Sequence, residues 1–177
     1  MNFSKRGEYA LRVLLDLAIA STQGESLVPL TALAEAQRIP VPFLEQILLN
    51  LRQGGFLSAT RGKRGGYTLA KPAAEIRVGD LVRFLEGPLA PIACASHSAY
   101  QPCSCPDEKH CGVRRLMIEA RDSLASVFDA ITLQEMADRT LAGMQADGVT
   151  PPLLALLHSP AVRRKSKREG DDPEYVI

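Results

Sequence analysis

The chain has no tryptophan, only 5% aromatic residues, and no apolar run approaching the roughly 20 residues needed to span a bilayer. The segment Leu11 to Ala20 is interrupted by Arg12 and Asp16, so it reads as an amphipathic helix and not as a leader or an anchor. Net charge is nearly absent too: 21 Lys and Arg against 20 Asp and Glu leave +1, and no global field announces a nucleic-acid partner. There is no G-x-G-x-x-G fingerprint at a strand-to-helix turn and no cluster of acid–base residues, which argues against a nucleotide-dependent redox enzyme. These absences point to a cytoplasmic, non-enzymatic protein with no membrane partner. The length of 177 residues fits one main domain, for which ~100–150 residues suffice, plus an attached oligomerisation element.

Charge that is missing overall is present locally. Arg52, Arg61, Lys63, Arg64 and Lys71 fall in a stretch without Asp or Glu, enough for phosphate contacts on one face. Helical periodicity surrounds this stretch. Ser4 to about Ala20 places Tyr9, Ala10, Val13, Leu14, Leu17 and Ala18 on one face. Pro29-Leu30-Thr31 precedes a short helix through Leu33, Ala34 and Ala36, and Arg38-Ile39-Pro40 turns into a third. The third helix starts near Val41, with Pro42 in its first turn where a missing N–H costs little, and ends at Gly54-Gly55. Two short helices joined by a tight turn form a helix-turn-helix, the second being the element for the major groove.

Phe56 to Thr60 and Gly66 to Ala70 are short strands flanking Arg61 to Gly65, a hairpin that forms a wing. Gly62, Gly65 and Gly66 permit positive φ and close backbone approach, while Arg61, Lys63 and Arg64 can reach phosphates or a narrow minor groove. On the third helix and its flank, Thr31, Pro42, Glu45 and Gln46 are the candidates to face DNA. Gln can pair with adenine and Glu can accept from cytosine N4. The expected fold is therefore mainly α with a small β-hairpin wing.

Cysteine is confined to one stretch, Cys94, Cys103, Cys105 and Cys111, which also holds Pro91, Pro102, Pro106 and Gly112. In a reducing compartment, thiols clustered in a turn-rich segment favour metal binding or redox sensing over structural disulfides. Soft sulfur donors select zinc or an iron–sulfur cluster. Cys103-x-Cys105 is tighter than the usual zinc knuckle and has no second close pair, so an iron–sulfur cluster is the better match. A disulfide switch stays open as the alternative, and His97 and His110 lie within reach as further donors.

Val78 to Leu85 reads as a fourth helix. Val113 to Ile131 is a long amphipathic one whose stripe of Val113, Leu116, Met117, Ala120, Leu124, Val127, Phe128 and Ile131 invites a second copy of the chain. Thr132 with Glu135 matches a capping box and breaks the rod there. Pro151-Pro152 followed by Leu153, Leu154, Leu156 and Leu157 suits one docked turn. Arg163, Arg164, Lys165, Lys167 and Arg168 open a polar tail. The expected organisation is a DNA-binding domain over 1–87, a cysteine-rich loop over 88–112, dimerisation helices over 113–145 and an extension over 146–177 that is partly disordered.

Several segments together resemble the Rrf2 family of bacterial winged-helix regulators. They are Phe3-Ser4-Lys5-Arg6-Gly7-Glu8-Tyr9-Ala10-Leu11-Arg12, Phe43-Leu44-Glu45-Gln46-Ile47-Leu48, Arg61 to Ala70, Val78-Gly79-Asp80 through Leu85-Glu86-Gly87, and Cys111 leading to Thr132-Leu133. The resemblance covers about residues 1 to 143. It implies a homodimer with crossing long helices, each winged helix reading half of an imperfect palindrome on double-stranded DNA. It also implies a 2Fe-2S or 4Fe-4S cluster that responds to redox state, nitric oxide or iron supply. In that likeness Cys94, Cys105 and Cys111 are the three cluster ligands, and Cys103 either replaces Cys105 or adds a fourth. The family's histidine ligand is Arg114 here. Some relatives use an acidic residue from the first helix of the partner subunit, and Glu8 occupies the comparable position.

Overall fold

The computed structural model describes residues 3–62 and 64–159; Lys63 and the basic tail from 160 lie outside the described residues. The first helix, α1 (Lys5–Thr22), runs through the centre of the molecule. Ala10, Val13, Leu14, Leu17, Ala18, Ile19 and Ala20 are buried along it, a stripe wide enough to be covered from several sides. Ser4 is its cap and not its first residue: the Ser4 hydroxyl accepts from the Gly7 N–H at 2.9 Å.

Helices α2 (Leu30–Gln37) and α3 (Val41–Gln53) pack on α1 and on each other. The turn between them is closed by Arg38 in the left-handed conformation (φ 53°), whose N–H returns to the end of α2, and Pro40 then prevents α2 from continuing. Leu44, Ile47, Leu48 and Leu51 of α3 point inward at helical spacing. Strands β1 (Leu57–Thr60) and β2 (Gly66–Leu69) pair antiparallel from Leu57↔Leu69 to Thr60↔Gly66. Each is one residue shorter than the sequence suggests. The hairpin is rooted by a bridge between Val28 and Tyr67, with backbone bonds of 2.9 and 2.8 Å in both directions.

A 3-10 turn at Ala73–Glu75 leads into α4 (Val78–Glu86), and a second at Ala93–Ala95 sits in the loop before α5 (Gly112–Asp129). The break expected at Thr132 is present. Thr132 and Glu135 form a complete capping box that starts α6 (Leu133–Ala146). Grouped by sequence with the dimerisation element, α6 is also part of the main core: Leu133 and Ala137 are fully buried, and the helix lies along α1. α7 (Pro152–Leu157) is the expected docked turn, with Leu153 and Leu154 buried against α2 and α1.

The second half of α5 packs on a smaller cluster of Val78, Val82 and Leu89 through Ala125, Phe128 and nearby Ile131. Elsewhere its apolar stripe is uncovered: Val113, Leu116 and Val127 are 60%, 59% and 57% exposed. Arg121 is the one residue of α5 that is buried.

Candidate functional site

The inward stripe of α3 fixes what faces outward. Pro42, Glu45 and Gln46 are exposed on the opposite side, with Arg52 exposed near the end of the helix and Thr31 exposed in the first turn of α2. Arg6 of α1 donates to the Gln46 carbonyl at 3.3 Å, so a cation absent from the sequence-based set stands beside this face. Its signal was a charge at the head of the buried stripe of α1, four residues before Ala10 and seven before Val13. Phe43 is anchored edge-on to Tyr9 with ring centroids 5.9 Å apart.

At the hairpin tip, Arg61 and Arg64 are exposed. The three wing glycines divide by physical reason. Gly62 has φ 111°, a conformation costly for any other residue. Gly65 and Gly66 do not. A Cβ on Gly66 would stand 2.6 Å from the Val28 carbonyl oxygen, and one on Gly65 would strike the Thr60 carbonyl. Gly66 is buried and seats the hairpin on Val28. Lys71 has a structural contact as well, its ammonium 5.7 Å from the centre of the Phe56 ring.

The cysteine loop is a folded unit without regular structure, held to α5 by two arginines. Arg114 donates to the Cys94 carbonyl at 2.9 Å and pairs with Glu108 at 3.3 Å. Glu108 also accepts from the Tyr100 hydroxyl at 2.8 Å. Arg121 donates to the Ala95 carbonyl and pairs with Asp122 at 2.7 Å. His110 is turned to Asp107, 2.7 Å away. Sequence reading gave these arginines no role. The signal for Arg121 was a charge at the edge of the apolar stripe, four residues after Met117 and three before Leu124.

Cys94 is buried, Cys103 and Cys111 are half-buried and Cys105 is exposed, all four as free thiols. They form a chain of neighbours. Hydrogen bonding, first from Cys105, holds Cys103 below the usual thiol range. Burial, with Cys103 beside it, raises Cys94. Cys105 is pushed up to about 12, first by its hydrogen bond to Cys103 and then by burial and the neighbouring Cys111. In kind, the donor set fits an iron–sulfur cluster: soft thiols gathered on one loop, with three successive pairs in contact. Among the described residues no three His, Cys, Asp or Glu side chains are grouped to hold a metal ion, so the thiols make a chain and not a closed cage.

Glu8 lies apart from these thiols. It pairs with Lys5 at 2.8 Å and with Arg12 at 3.5 Å, and the Lys5 hydrogen bond holds its carboxyl below the usual range. Glu8 and Arg12 line one end of a groove of about 410 Å³ whose other walls are Phe3, Leu11, Leu15 and Met136. Arg12 also donates to the Gln37 side chain at 2.7 Å, and Gln37 donates to the buried Asp16 at 2.5 Å. This network joins the groove to the end of α2.

The far end of α5 is tied to the helix-turn-helix through α4. Arg83 grips Asp129 with two bonds of 2.6 and 2.7 Å, and a Cβ on Gly79 would collide with the same carboxylate. Phe84 rests on Phe56, with centroids 5.2 Å apart, and on Gly54 at the end of α3. At the end of α4, Glu86 accepts from the Ser4 hydroxyl at 2.8 Å. The thiol loop, α5, α4 and the end of α3 are thus in continuous contact.

Comparison with known proteins agrees with this architecture. The Rrf2 family, described as iron-dependent transcriptional regulators, matches residues 3–139. An Rrf2-like HTH-type transcriptional regulator of Rhodobacter capsulatus is 38% identical over 135 residues, 75% of this chain and 90% of that protein. The HTH-type transcriptional regulator CymR of Bacillus subtilis is 31% identical over 140 residues, covering 79% of this chain and 92% of CymR. The solved structure of that CymR, titled the global cysteine regulator of B. subtilis, superposes with a TM-score of 0.65 over 78% of this chain and 98% of its own, at 29% identity. IscR of T. potens gives 0.61 at 31% identity, over 79% of this chain and 88% of its own. No helix among the described residues is long and apolar enough to cross a membrane. The two-helix turn, the hairpin wing and the matched span agree: the chain belongs to the Rrf2 family of helix-turn-helix transcriptional regulators.

Proposed function

We propose that the chain works as a homodimer on a palindromic operator and that an iron–sulfur cluster on the cysteine loop sets its affinity for that DNA. The observation that carries this reading is the fastening of the cysteine loop at the carbonyls of Cys94 and Ala95, through Arg114 and Arg121, to a helix tied at its other end to α4 and so to the end of α3. The exposed stripe of Val113, Leu116 and Val127 supports pairing with a second copy.

In this reading Arg52, Arg61, Lys63 and Arg64 neutralise phosphates and position the duplex, while Thr31, Pro42, Glu45 and Gln46 meet base edges and sugars. Gly66 keeps the wing close to Val28, and Gly65 lets the tip close against the Thr60 carbonyl. Cys94, Cys105 and Cys111 hold the cluster. Cys103, between Cys94 and Cys105, is the reserve ligand, and Glu8 from the partner subunit's first helix completes the set. When bound, the cluster supplies a centre sensitive to redox state, nitric oxide or iron supply. The residues around it hold the loop's backbone in place: Arg114 and Arg121 fix the carbonyls at 94 and 95, and the Tyr100–Glu108 pair closes the loop.

A second reading keeps the regulator and replaces the cluster with thiol–disulfide or small-molecule control. The chain-like arrangement of the thiols and the likeness to CymR favour it. Preparation without oxygen, followed by iron and sulfide analysis, separates the two. The cluster reading expects stoichiometric iron and sulfide with visible absorbance that Cys111→Ala abolishes. Iron and sulfide left unchanged in Cys111→Ala would remove Cys111 from the ligand set, and their absence from the wild-type protein would favour the second reading.

A further inference from the structure

The turn of the helix-turn-helix is closed by a residue of unusual type. Among the described residues, Arg38 alone has a positive φ, 53°, without being a glycine. That conformation crowds the Cβ of an L-residue, and after a helix it is ordinarily given to glycine or asparagine. The backbone needs it here. The Arg38 N–H returns to the carbonyls of Ala34 and Glu35, and the next N–H, of Ile39, reaches the Ala34 carbonyl at 2.9 Å. Ile39 is then buried, 4% exposed, and Pro40 leads into α3. Glycine would keep every one of those contacts with less strain. The turn therefore accounts for the backbone of Arg38 and not for its side chain.

Packing does not account for that side chain either. Arg38 is exposed, and among the described residues nothing bonds or pairs with its guanidinium. The cations of α1 differ: Lys5 pairs with Glu8, Arg12 is held by Glu8 and Gln37, and Arg6 donates to the Gln46 carbonyl. Glu35, exposed one turn earlier on α2, is the competing carboxylate. Position supplies the missing reason. Three Cα steps of ~3.8 Å separate Arg38 from Val41, the first residue of α3, which is at most about 11 Å. Thr31 on the helix before it and Pro42 on the helix after it are both exposed. The major groove is ~12 Å wide. A helix entering it by Val41 and Pro42 brings the phosphates of the groove's rim within reach of a long side chain set back by that distance.

We propose that Arg38 binds a duplex phosphate at the rim of the groove that α3 enters. Its guanidinium stands outside the protein's own ion pairs, so meeting DNA breaks no existing bridge and releases a counterion from the duplex. Because phosphate carries no base identity, the contact sets the position of α3 and leaves sequence choice to the residues facing the bases. This inference rests on the DNA-binding reading above and adds to it a residue that sequence reading treated only as part of a turn.

The test compares the full-length wild-type chain with Arg38→Gly, which keeps the left-handed turn and removes the cation, and with Arg38→Lys, which keeps the cation. Binding to an operator selected from random duplex is titrated across salt concentrations, and unfolding in urea is followed in parallel. Each phosphate contact contributes about 0.9 to the slope of log K against log salt, so losing one from each protomer of a dimer lowers it by about 1.8. The expected result for Arg38→Gly is a slope lower by at least about 1, affinity reduced at least about tenfold at about 0.1 M salt, and the selected sequence unchanged. Its urea midpoint should equal or exceed that of wild type, since the strain is relieved. Arg38→Lys should bring the slope back to within about 0.5 of wild type. A slope lowered by less than about 1 in Arg38→Gly overturns the contact and leaves the regulator reading standing; it is the result if Arg38 pairs instead with Glu35 or with another protein. A lower midpoint in Arg38→Gly, or a lost slope that Arg38→Lys does not restore, overturns it as well, by making the side chain part of the fold. Failure of the wild-type chain to select any sequence overturns both readings.

Discussion

Replacing Arg121 with Met probes whether the cysteine loop is held as a unit by α5. The substitution keeps an unbranched stem of similar bulk in the buried position and removes the guanidinium, so packing is largely conserved. Two interactions go. One is the bond to the carbonyl of Ala95, a residue 1% exposed; leaving a buried acceptor unsatisfied costs about 1–3 kcal/mol. The other is the pair with Asp122, whose side chain is 58% exposed, worth at most about 1 kcal/mol in solvent. The sum, about 1–4 kcal/mol, falls on local opening of the loop, because among the described residues Arg121 bonds to Ala95 and Asp122 and not to the helix-turn-helix. At about 1.4 kcal/mol per tenfold, opening should become roughly 5- to several-hundred-fold more frequent. Hydrogen exchange reads this at the amides of Ala95 and Ser96, which donate at 3.1 Å to Ile92 and Ala93. Their protection should fall by that factor while the α3 amides of Ile47 and Leu48 keep theirs. Exchange at 95 and 96 changing less than about threefold, or α3 changing equally, would refute the clamp.

Other perturbations reach different parts of the account. Leu153→Ala empties a site 1% exposed and should cost about 2–5 kcal/mol, seen as a lower urea midpoint; an unchanged midpoint would mean α7 is not docked. Gly66→Ala pushes a methyl against the Val28 carbonyl and should loosen the hairpin, lowering DNA affinity while the midpoint for the helices barely moves; wild-type affinity would contradict this. Burial raises the carboxyl of Asp16, and hydrogen bonding from Gln37 only partly opposes it. A carboxyl with a folded value above its unfolded one binds protons more readily in the folded chain, so stability falls as pH rises between those two values. At neutral pH the ionised group costs stability. Asp16→Asn should therefore raise the melting temperature at pH 7, with the gain vanishing in acid below the unfolded value; a lower melting temperature at pH 7 would show that the charge itself is needed by the Arg12–Gln37 network.

Much of the fold is legible in the sequence because burial there is periodic. The stripe of Leu44, Ile47, Leu48 and Leu51 announces both α3 and its outward face, and Thr132 with Glu135 marks the start of α6 to the residue. Where contacts are not periodic, the sequence is silent. Nothing in the spacing of Cys94 to Cys111 foretells that Arg114 and Arg121 reach back to the carbonyls at 94 and 95, since those bonds join segments 20 and 26 positions apart. The wing glycines look alike in sequence, yet only Gly62 needs a positive φ, whereas Gly65 and Gly66 are small because a backbone carbonyl lies against each. Periodicity also cannot divide one apolar stripe between two neighbours. On α5, Phe128 is taken up internally with Phe3, ring centroids 6.4 Å apart, while Val113 and Leu116 stay exposed.

The central claim is that thiols on the α5 loop govern how the winged helices hold DNA. Its most direct test measures the affinity of one selected operator for the same full-length protein, prepared without oxygen, before and after removal of iron and sulfide. The account predicts two affinities differing by at least about fivefold, the lower end of ordinary coupling between sites, with the difference lost in Cys111→Ala. Equal affinities within about twofold, in a protein shown to carry iron and sulfide beforehand, would contradict it.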